Sequence, residues 1–193
     1  QSTTIAPMQM PAPARILSLG DSYTIGTGVS FSENWPNQLV ERLNTQGITA
    51  EVPRIIAQNG WTTGDLTAGI SSADLDESYD LVTLLIGVNN QFRGYDIDKY
   101  QMEFSSLLAQ AVRFAEGDSR RVIVLSIPDW GVTPFAAHRD PQEVAAQIDA
   151  FNTVNRAEAQ TAGVHYIDVT PISRQAADDS SLLAPDDLHP SPK

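Results

Sequence analysis

Short apolar runs alternate with amphipathic stretches along this chain of 193 residues. Apolar, strand-like runs occupy residues 15–19, 54–57, 81–86, 121–127 and 164–169. Helices are predicted between them, at 35–46, 62–70, 96–116 and 141–161, and the clearest of these repeats apolar residues every three or four positions. This alternation predicts one α/β domain in which a parallel sheet is covered on both faces.

The composition limits the partners that this chain can bind. Twelve basic residues against twenty-four acidic ones give a net charge of −12, and the basic residues form no stripe that could neutralise phosphates. We therefore expect no nucleic-acid binding. No apolar run approaches the ~18 residues that span a bilayer, so stable membrane insertion is not expected. The absence of cysteine excludes disulfides, a thiol nucleophile and a thiolate metal site.

The first fourteen residues are polar and contain prolines. We expect residues 1–14 to be a flexible segment and residues 15–193 to be a single domain. Because the chain begins with Gln1 and this segment lacks the apolar centre of a signal peptide, its start is interpreted as an end left by processing or as an artificial boundary. The first interpretation favours a secreted or periplasmic location over a cytoplasmic one. The oligomeric state is not predicted.

A serine follows the first predicted strand at the point where the strand ends. Gly20 closes the strand and Ser22 comes two residues later. The carboxyl ends of parallel strands share one edge of the sheet, where ligands bind, and a hydroxyl at that edge can act as a nucleophile if a base is in reach. A turn-forming or capping role is the alternative for Ser22 alone, and Asp21 is expected to hydrogen-bond this turn.

The end of the chain supplies a candidate base. His189 follows Asp186 by three residues, a spacing that places both on the same side of a helical turn or tight loop. Asp186 would then orient one ring nitrogen of His189 while the other faces Ser22, which is the logic of an acyl-transfer triad. Asp187 would face away from the histidine, and the other two histidines lack an Asp three residues earlier.

Two further strand ends carry candidate donors for the oxyanion that forms on attack. Gly60 follows the second predicted strand and could offer a backbone N–H, with no side chain to hinder the approach of a substrate. Asn89 follows the third and could offer its side-chain amide, although a plain turn role is an open alternative. The backbone N–H of Ser22 is the third candidate donor.

Three aromatic residues lie next to these motifs in the sequence and are candidate substrate-binding residues: Tyr23, Trp61 and Trp130. Either tryptophan could stack on a sugar or on an acyl chain at the rim of a pocket. Packing in the core is an equal alternative for both, because aromatic side chains bury a large area.

Taken in order, these motifs make the sequence similar to the SGNH hydrolases, also called the GDSL esterase/lipase family. The first block has Tyr where the family's name-giving motif has Leu. The blocks, which extend over nearly the whole chain, are Gly20-Asp21-Ser22-Tyr23, then Gly60, Gly87-Val88-Asn89-Asn90 and Asp186-Asp187-Leu188-His189.

The resemblance implies a flavodoxin-like, three-layer α/β/α fold with a five-stranded parallel sheet. It implies that Ser22 is the nucleophile, that His189 is the base and acid, and that Asp186 orients His189. It assigns the oxyanion hole to the Ser22 N–H, the Gly60 N–H and the Asn89 side chain. It implies no metal and no organic cofactor.

Two departures from the family pattern carry expectations of their own. Asn90 stands where the family often has Asp, and we expect this to alter a supporting hydrogen bond rather than the chemistry. The sequence ends at Lys193, whereas family members usually continue into a final helix. Without that helix, the loop that holds His189 would lack a support and activity would be weak.

The predicted function is that of a serine esterase. It would hydrolyse small acyl esters, or acetyl esters linked to carbohydrate, through an acyl-enzyme, and its partner would be a small-molecule ester. A lysophospholipase or thioesterase with a longer acyl pocket is the alternative among enzymes. The alternative that is not an enzyme is a non-catalytic carbohydrate-binding module on the same scaffold. No insertion is long enough to suggest a lid, so an open site is expected.

Overall fold

The computed structural model describes residues 12–75 and 78–193, so most of the predicted N-terminal segment lies outside the described residues. Its sheet has the strand order β2-β1-β3-β4-β5, and every neighbouring pair is parallel. This is the strand order of flavodoxin-like doubly wound folds, and it confirms the predicted α/β class. The strands are β1 (Ile16–Gly20), β2 (Arg54–Ala57), β3 (Leu81–Leu85), β4 (Val122–Leu125) and β5 (His165–Ile167).

Helices connect these strands and cover the sheet. Because crossovers between parallel strands are right-handed, the connections after β2, β3 and β4 place α3, α5 and α6 on one face, and the connection after β1 places α2 on the other. The described helices are α1 (Ser22–Ile25), α2 (Trp35–Thr45), α3 (Thr63–Ser72), α4 (Val88–Phe92), α5 (Ile97–Phe114), α6 (Pro141–Ala162) and α7 (Thr170–Ser173).

The core lies between the sheet and α3, α5 and α6. All five residues of β1 are buried, and Leu17 and Leu19 pair in register with Val82 and Leu84 of β3. These side chains belong to one apolar cluster with Phe104 of α5. Because β1 lies in the interior of the sheet and β3 pairs along its whole length, the ends of these two strands are the most firmly fixed positions at the site's edge.

In the structure, β4 and β5 are shorter than predicted, and two short helices occur that the sequence did not predict. β4 and β5 cover only part of the predicted runs 121–127 and 164–169. Beyond β4, the Ser126 N–H still donates to the Ile167 carbonyl. The Ser126 hydroxyl accepts the N–H groups of Val169 and Thr170, so side-chain bonds take over from the ladder after this point. The helices α1 and α4 were not predicted, since four or five residues are too few to show a helical period. Both begin at the carboxyl edge of the sheet.

The start of α3 agrees with its prediction. Thr62 is the N-cap, and its side chain accepts the N–H of Asp65 while the Asp65 carboxylate accepts the N–H of Thr62. This reciprocal capping satisfies two backbone donors at the helix start. Within the described ranges, no helix combines the length and the apolar character needed to cross a membrane.

Candidate active site

Ser22 begins α1 directly after β1. Asp21 caps this helix, and its carboxylate accepts the Tyr23 N–H at 3.0 Å, which confirms the predicted hydrogen bond in the turn. A side chain at Gly20 would place its Cβ 2.1 Å from the Thr24 hydroxyl, so only glycine fits there. The chain therefore passes from strand to helix through a tightly packed turn. Ser22 is held at the sheet edge with only 6% of its surface exposed.

Asp21 is an unusual neighbour for a candidate nucleophile. It is completely buried, and its second carboxylate oxygen has no hydrogen-bond partner among the described residues. Burial raises the pKa of Asp21 to about 7, against the opposing effect of the Tyr23 N–H. The serine turn therefore contains a carboxyl group that keeps its proton in much of the acid range.

His189 lies in a loop and is bound to Asp186 as the spacing predicted. The His189 Nδ1 lies 2.6 Å from Asp186 Oδ2, and the backbone N–H groups of His189 and Leu188 donate to Oδ1 at 2.9 and 3.1 Å. Burial alone would raise the pKa of Asp186, but these hydrogen bonds outweigh it and hold that pKa below its ordinary value. Asp187, with a left-handed φ of 58°, is exposed.

The loop around His189 is held by hydrogen bonds rather than by a helix or a strand. The Ala184 N–H donates to the His189 carbonyl at 2.7 Å, and Leu183 and Pro190 form an antiparallel bridge. The Gln38 amide of α2 donates to the Pro192 carbonyl at 2.9 Å. The expectation that this loop lacks a support is therefore not met.

Ser22 and His189 line the same small pocket, whose volume is about 90 Å³. The rings of Tyr23 and His189 are tilted against each other with centroids 5.1 Å apart. Among the described residues, no hydrogen bond joins Ser22 Oγ to the His189 ring, whose Nδ1 is bound to Asp186. Such a bond is often long in an empty site and tightens when substrate binds. The remaining lining residues are Val88, Asn89, Phe92, Trp130, Phe135 and Leu188.

One wall of the pocket is aromatic. Phe92, Trp130 and Phe135 lie with ring centroids 5.3 to 6.3 Å apart. The Trp130 indole N–H donates to the Gln91 amide oxygen at 2.7 Å, and the Gln91 amide donates to Gln147 of α6. Trp130 lines the pocket and also belongs to the buried apolar cluster, so both alternatives for this residue stay open. Gln91, which sequence reasoning missed, fixes its ring.

Asn89 reaches the pocket and has one amide hydrogen committed elsewhere. Its side chain donates to the Trp61 carbonyl at 2.9 Å, which leaves the second N–H of the amide free to donate. Gly60 lies in the turn just before Trp61, with a φ of 77° that a glycine adopts readily. Gly60 is not among the residues that line the 90 Å³ pocket, but it is joined to that pocket through Trp61 and Asn89.

Trp61 does not line the pocket. Its ring lies on α3 at Gly69, where an added Cβ would come within 2.3 Å of the indole. The ring also packs against the apolar cluster of the core. The structure therefore favours the packing alternative for Trp61 over substrate binding.

Asn90 is fully buried and connects α4 to α3. Its amide oxygen accepts the Thr63 N–H at 3.1 Å, and its amide nitrogen donates to the Thr63 hydroxyl at 2.7 Å. The same hydroxyl donates to Glu103 of α5. Asn90 is thus a supporting residue behind the pocket, and the expectation that Asn at this position leaves the chemistry unchanged stays a prediction.

A second, larger groove borders the pocket. It measures about 300 Å³ and shares Tyr23 and Leu188 with the pocket around Ser22. Its floor includes the apolar side chains of Leu85 and Leu125, at the ends of β3 and β4. In the described part of the chain, no three His, Asp or Glu side chains are grouped as metal ligands would be.

The comparisons with known proteins agree with this geometry. A model of the GDSL-like lipase/acylhydrolase family matches residues 18–193, which includes every candidate site residue named above. No curated protein is similar enough in sequence to count as a match.

Several solved structures share the fold. AlinE4, an SGNH-hydrolase family esterase, is 19% identical with a TM-score of 0.70, and the alignment covers 95% of this chain and 89% of that one. The acetyl xylan esterase AlAXEase is 20% identical with a TM-score of 0.71 and 92% coverage of both chains. The psychrotrophic esterase EstA from Pseudoalteromonas sp., in a structure inhibited by monoethylphosphonate, is 19% identical with a TM-score of 0.66, covering 93% and 88%. At these identities the likeness is one of fold.

Proposed function

Because this chain belongs to the GDSL-like lipase/acylhydrolase family and is a carboxylic ester hydrolase, we propose that Ser22 is its nucleophile, with His189 as base and Asp186 as the orienting carboxylate. The observation that carries this proposal is the 2.6 Å contact between His189 Nδ1 and Asp186 Oδ2, in a histidine that lines the same pocket as Ser22. With Nδ1 engaged by a carboxylate, the neutral ring presents Nε2 as the acceptor for the serine proton.

In the proposed reaction, Ser22 Oγ attacks the ester carbonyl and passes its proton to His189. The charged imidazole that results is stabilised by Asp186, whose lowered pKa keeps it ionised. The developing oxyanion accepts hydrogen bonds from the Ser22 N–H, the Gly60 N–H and the free amide hydrogen of Asn89. His189 then protonates the leaving alkoxide, and water resolves the acyl-enzyme by the reverse sequence of proton transfers.

The proposed substrate is an ester of a short acyl group. Pockets for drug-sized ligands usually measure ~300–1,000 Å³, so the 90 Å³ beside Ser22 suits an acetyl group or one slightly larger. A carbohydrate is the proposed alcohol, since two of the structural neighbours are described as acetyl xylan and acetyl-xylooligosaccharide esterases. A net charge of −12 also favours a neutral substrate over an anionic one.

A longer acyl chain is the second candidate, because of the 300 Å³ apolar groove that shares Tyr23 and Leu188 with the pocket. A series of nitrophenyl esters of increasing chain length separates the two. Highest kcat/KM at two to four carbons supports the short-chain esterase. Highest kcat/KM at eight or more carbons supports the lysophospholipase or thioesterase alternative.

Covalent labelling tests the nucleophile directly. A fluorophosphonate probe should add one phosphonyl group to the intact protein, and peptide mass spectrometry should place it on Ser22. Ser22→Ala should lose both the label and ester hydrolysis, while Ser32→Ala, at an exposed serine, should keep both. Unchanged turnover in Ser22→Ala would contradict the proposal. A wild-type protein that neither hydrolyses esters nor takes the label would favour the carbohydrate-binding alternative.

A further inference from the structure

The turn that carries Gly60 follows an edge strand of the sheet. Among the strands that the structure describes, β2 pairs only with β1, and it is partly exposed. The turn spans the gap between Ala57, the end of β2, and Thr63, the start of α3. Glycine has wide conformational freedom, so strand pairing alone does not fix the direction of an N–H at Gly60.

Side chains from two other segments hold this turn. The Arg93 guanidinium, at the end of α4, donates to the Gly60 carbonyl at 2.7 Å, and Asn89 donates to the next carbonyl along the chain. On the other side, the Thr27 hydroxyl donates to the Asn59 side chain. Three consecutive residues of the turn are thus each held by a different side chain.

We propose that Arg93 is a positioning residue for the oxyanion hole: by holding the Gly60 carbonyl, it fixes the turn whose N–H faces the substrate oxygen. This inference rests on the proposed function, in which Gly60 supplies one donor. Donors of this kind accelerate a reaction only when they are aligned before the charge develops. Holding the carbonyl of Gly60 limits rotation of the peptide that follows its Cα, and the side-chain contact of Asn59 ties the preceding residue to Thr27.

Arg93 is suited to this role by its own surroundings. Its guanidinium also lies 4.0 Å from Asp65, whose carboxylate accepts the Thr62 N–H and hydroxyl at the start of α3. The planar fork of an arginine can contact two acceptors at once. Arg93 therefore connects the turn to the first residues of α3, while about half of its side chain stays exposed.

The test compares Arg93→Met, Arg93→Lys and a remote charge control, Arg42→Met, at an exposed position in α2. Arg93→Met should lower kcat on a short-chain aryl ester by about 10- to 100-fold, with KM changed by less than about threefold, because the hole acts on the transition state. The rate of phosphonate labelling should fall by a similar factor. Arg93→Lys should recover part of the loss, and Arg42→Met should match the wild type.

Kinetics at high salt and the melting temperature of Arg93→Met test two simpler explanations. If Arg93 acts only as a distant positive charge, the difference between wild type and Arg93→Met should shrink at high NaCl; a local clamp predicts a constant ratio. If its role is only structural, the loss of kcat should accompany a large fall in melting temperature. Either of these outcomes would overturn the inference, as would an increase in KM alone or unchanged kinetics.

Ser22→Ala, measured in the same assay, separates this inference from the function on which it rests. An active Ser22→Ala overturns the proposed function. An inactive Ser22→Ala together with wild-type kinetics in Arg93→Met overturns the role of Arg93 alone.

Discussion

The two sides of the pocket are built in different ways. Ser22 extends directly from β1, whose residues are all buried and which pairs with a strand on each side. His189 lies in a loop outside the helices and strands, held by single hydrogen bonds to neighbouring loop residues and to α2. One partner is fixed by the core, and the other is fixed by contacts near the surface.

Because of this difference, we expect the loop of His189 to move more easily than the turn of Ser22. A net contribution of ~0.5–1.5 kcal/mol is typical of one hydrogen bond, so the histidine loop can shift at low cost while the serine turn cannot. Loops of this kind open with smaller free energies than core strands do. We therefore expect the missing hydrogen bond between Ser22 and His189 to form through movement of the histidine side when an ester binds.

The acidic side chains beside Ser22 and beside His189 also differ, because their pKa values are shifted in opposite directions. Asp21, before the serine, is buried, and this burial raises its pKa to about 7. Asp186, before the histidine, has a lowered pKa because its hydrogen bonds outweigh the effect of burial. A negative charge is therefore stabilised on the histidine side and disfavoured on the serine side.

Removing the charge of Asp186 should have the largest effect. Asp186→Asn leaves the size of the side chain unchanged but no longer fixes the tautomer of His189 or stabilises its charged form, so kcat should fall about 10⁴-fold. The matched control is Asp187→Asn, at the adjacent exposed position, where the left-handed backbone suits Asn. Steady-state kinetics of both variants measure this, and equal losses in the two would contradict the assignment of Asp186.

Gly20→Ala tests whether the turn before Ser22 is too tightly packed to accept a side chain. The new Cβ would lie 2.1 Å from the Thr24 hydroxyl and 2.5 Å from the backbone oxygen of Leu85, which cannot move away without disturbing β3. The free energy of unfolding should fall by about 3 kcal/mol or more. Gly64→Ala in α3, where the nearest atom is 3.9 Å away, should leave stability unchanged or raise it by ~0.5–1 kcal/mol. Urea unfolding distinguishes these outcomes, and a tolerated Gly20→Ala would mean that the turn can adjust.

The sequence predicted the serine side better than the way the two sides meet. The apolar run of β1 and the glycine after it locate Ser22 from local pattern alone, and the Asp186–His189 spacing predicts their hydrogen bond. The contact of Gln38 with Pro192, which ties the histidine loop to α2, joins residues far apart in the chain, as does the contact between Arg93 and Gly60. No local pattern encodes such contacts, and Trp61 shows the same limit, since its packing on Gly69 depends on how the turn directs the ring.

The pH dependence of stability tests the buried acid on the serine side. Asp21 ionises near pH 4 in the unfolded chain but near 7 in the fold, so between these values the fold holds a proton that the unfolded chain has lost. This group therefore makes stability fall as pH rises from about 4 to about 7, by on the order of 2–3 kcal/mol. Asp21→Asn removes that slope, and the variant should gain stability relative to wild type across this range. Urea unfolding at several pH values measures the difference, and parallel profiles would refute it.

The smallest expected effect tests the support of the histidine side. Gln38→Ala removes the amide that donates to the carbonyls of Glu33 and Pro192, and both bonds are exposed, so the unfolding free energy should fall by only ~0.5–1 kcal/mol. The His189 loop should nevertheless become looser, and kcat should fall about two- to fivefold. Gln101→Ala removes a comparable exposed bond to Glu158, between α5 and α6, and should cause a similar loss of stability with no loss of kcat. If both variants lose stability and neither loses activity, then the histidine side is held more firmly than its single hydrogen bonds suggest, and the contrast between the two sides of the pocket disappears.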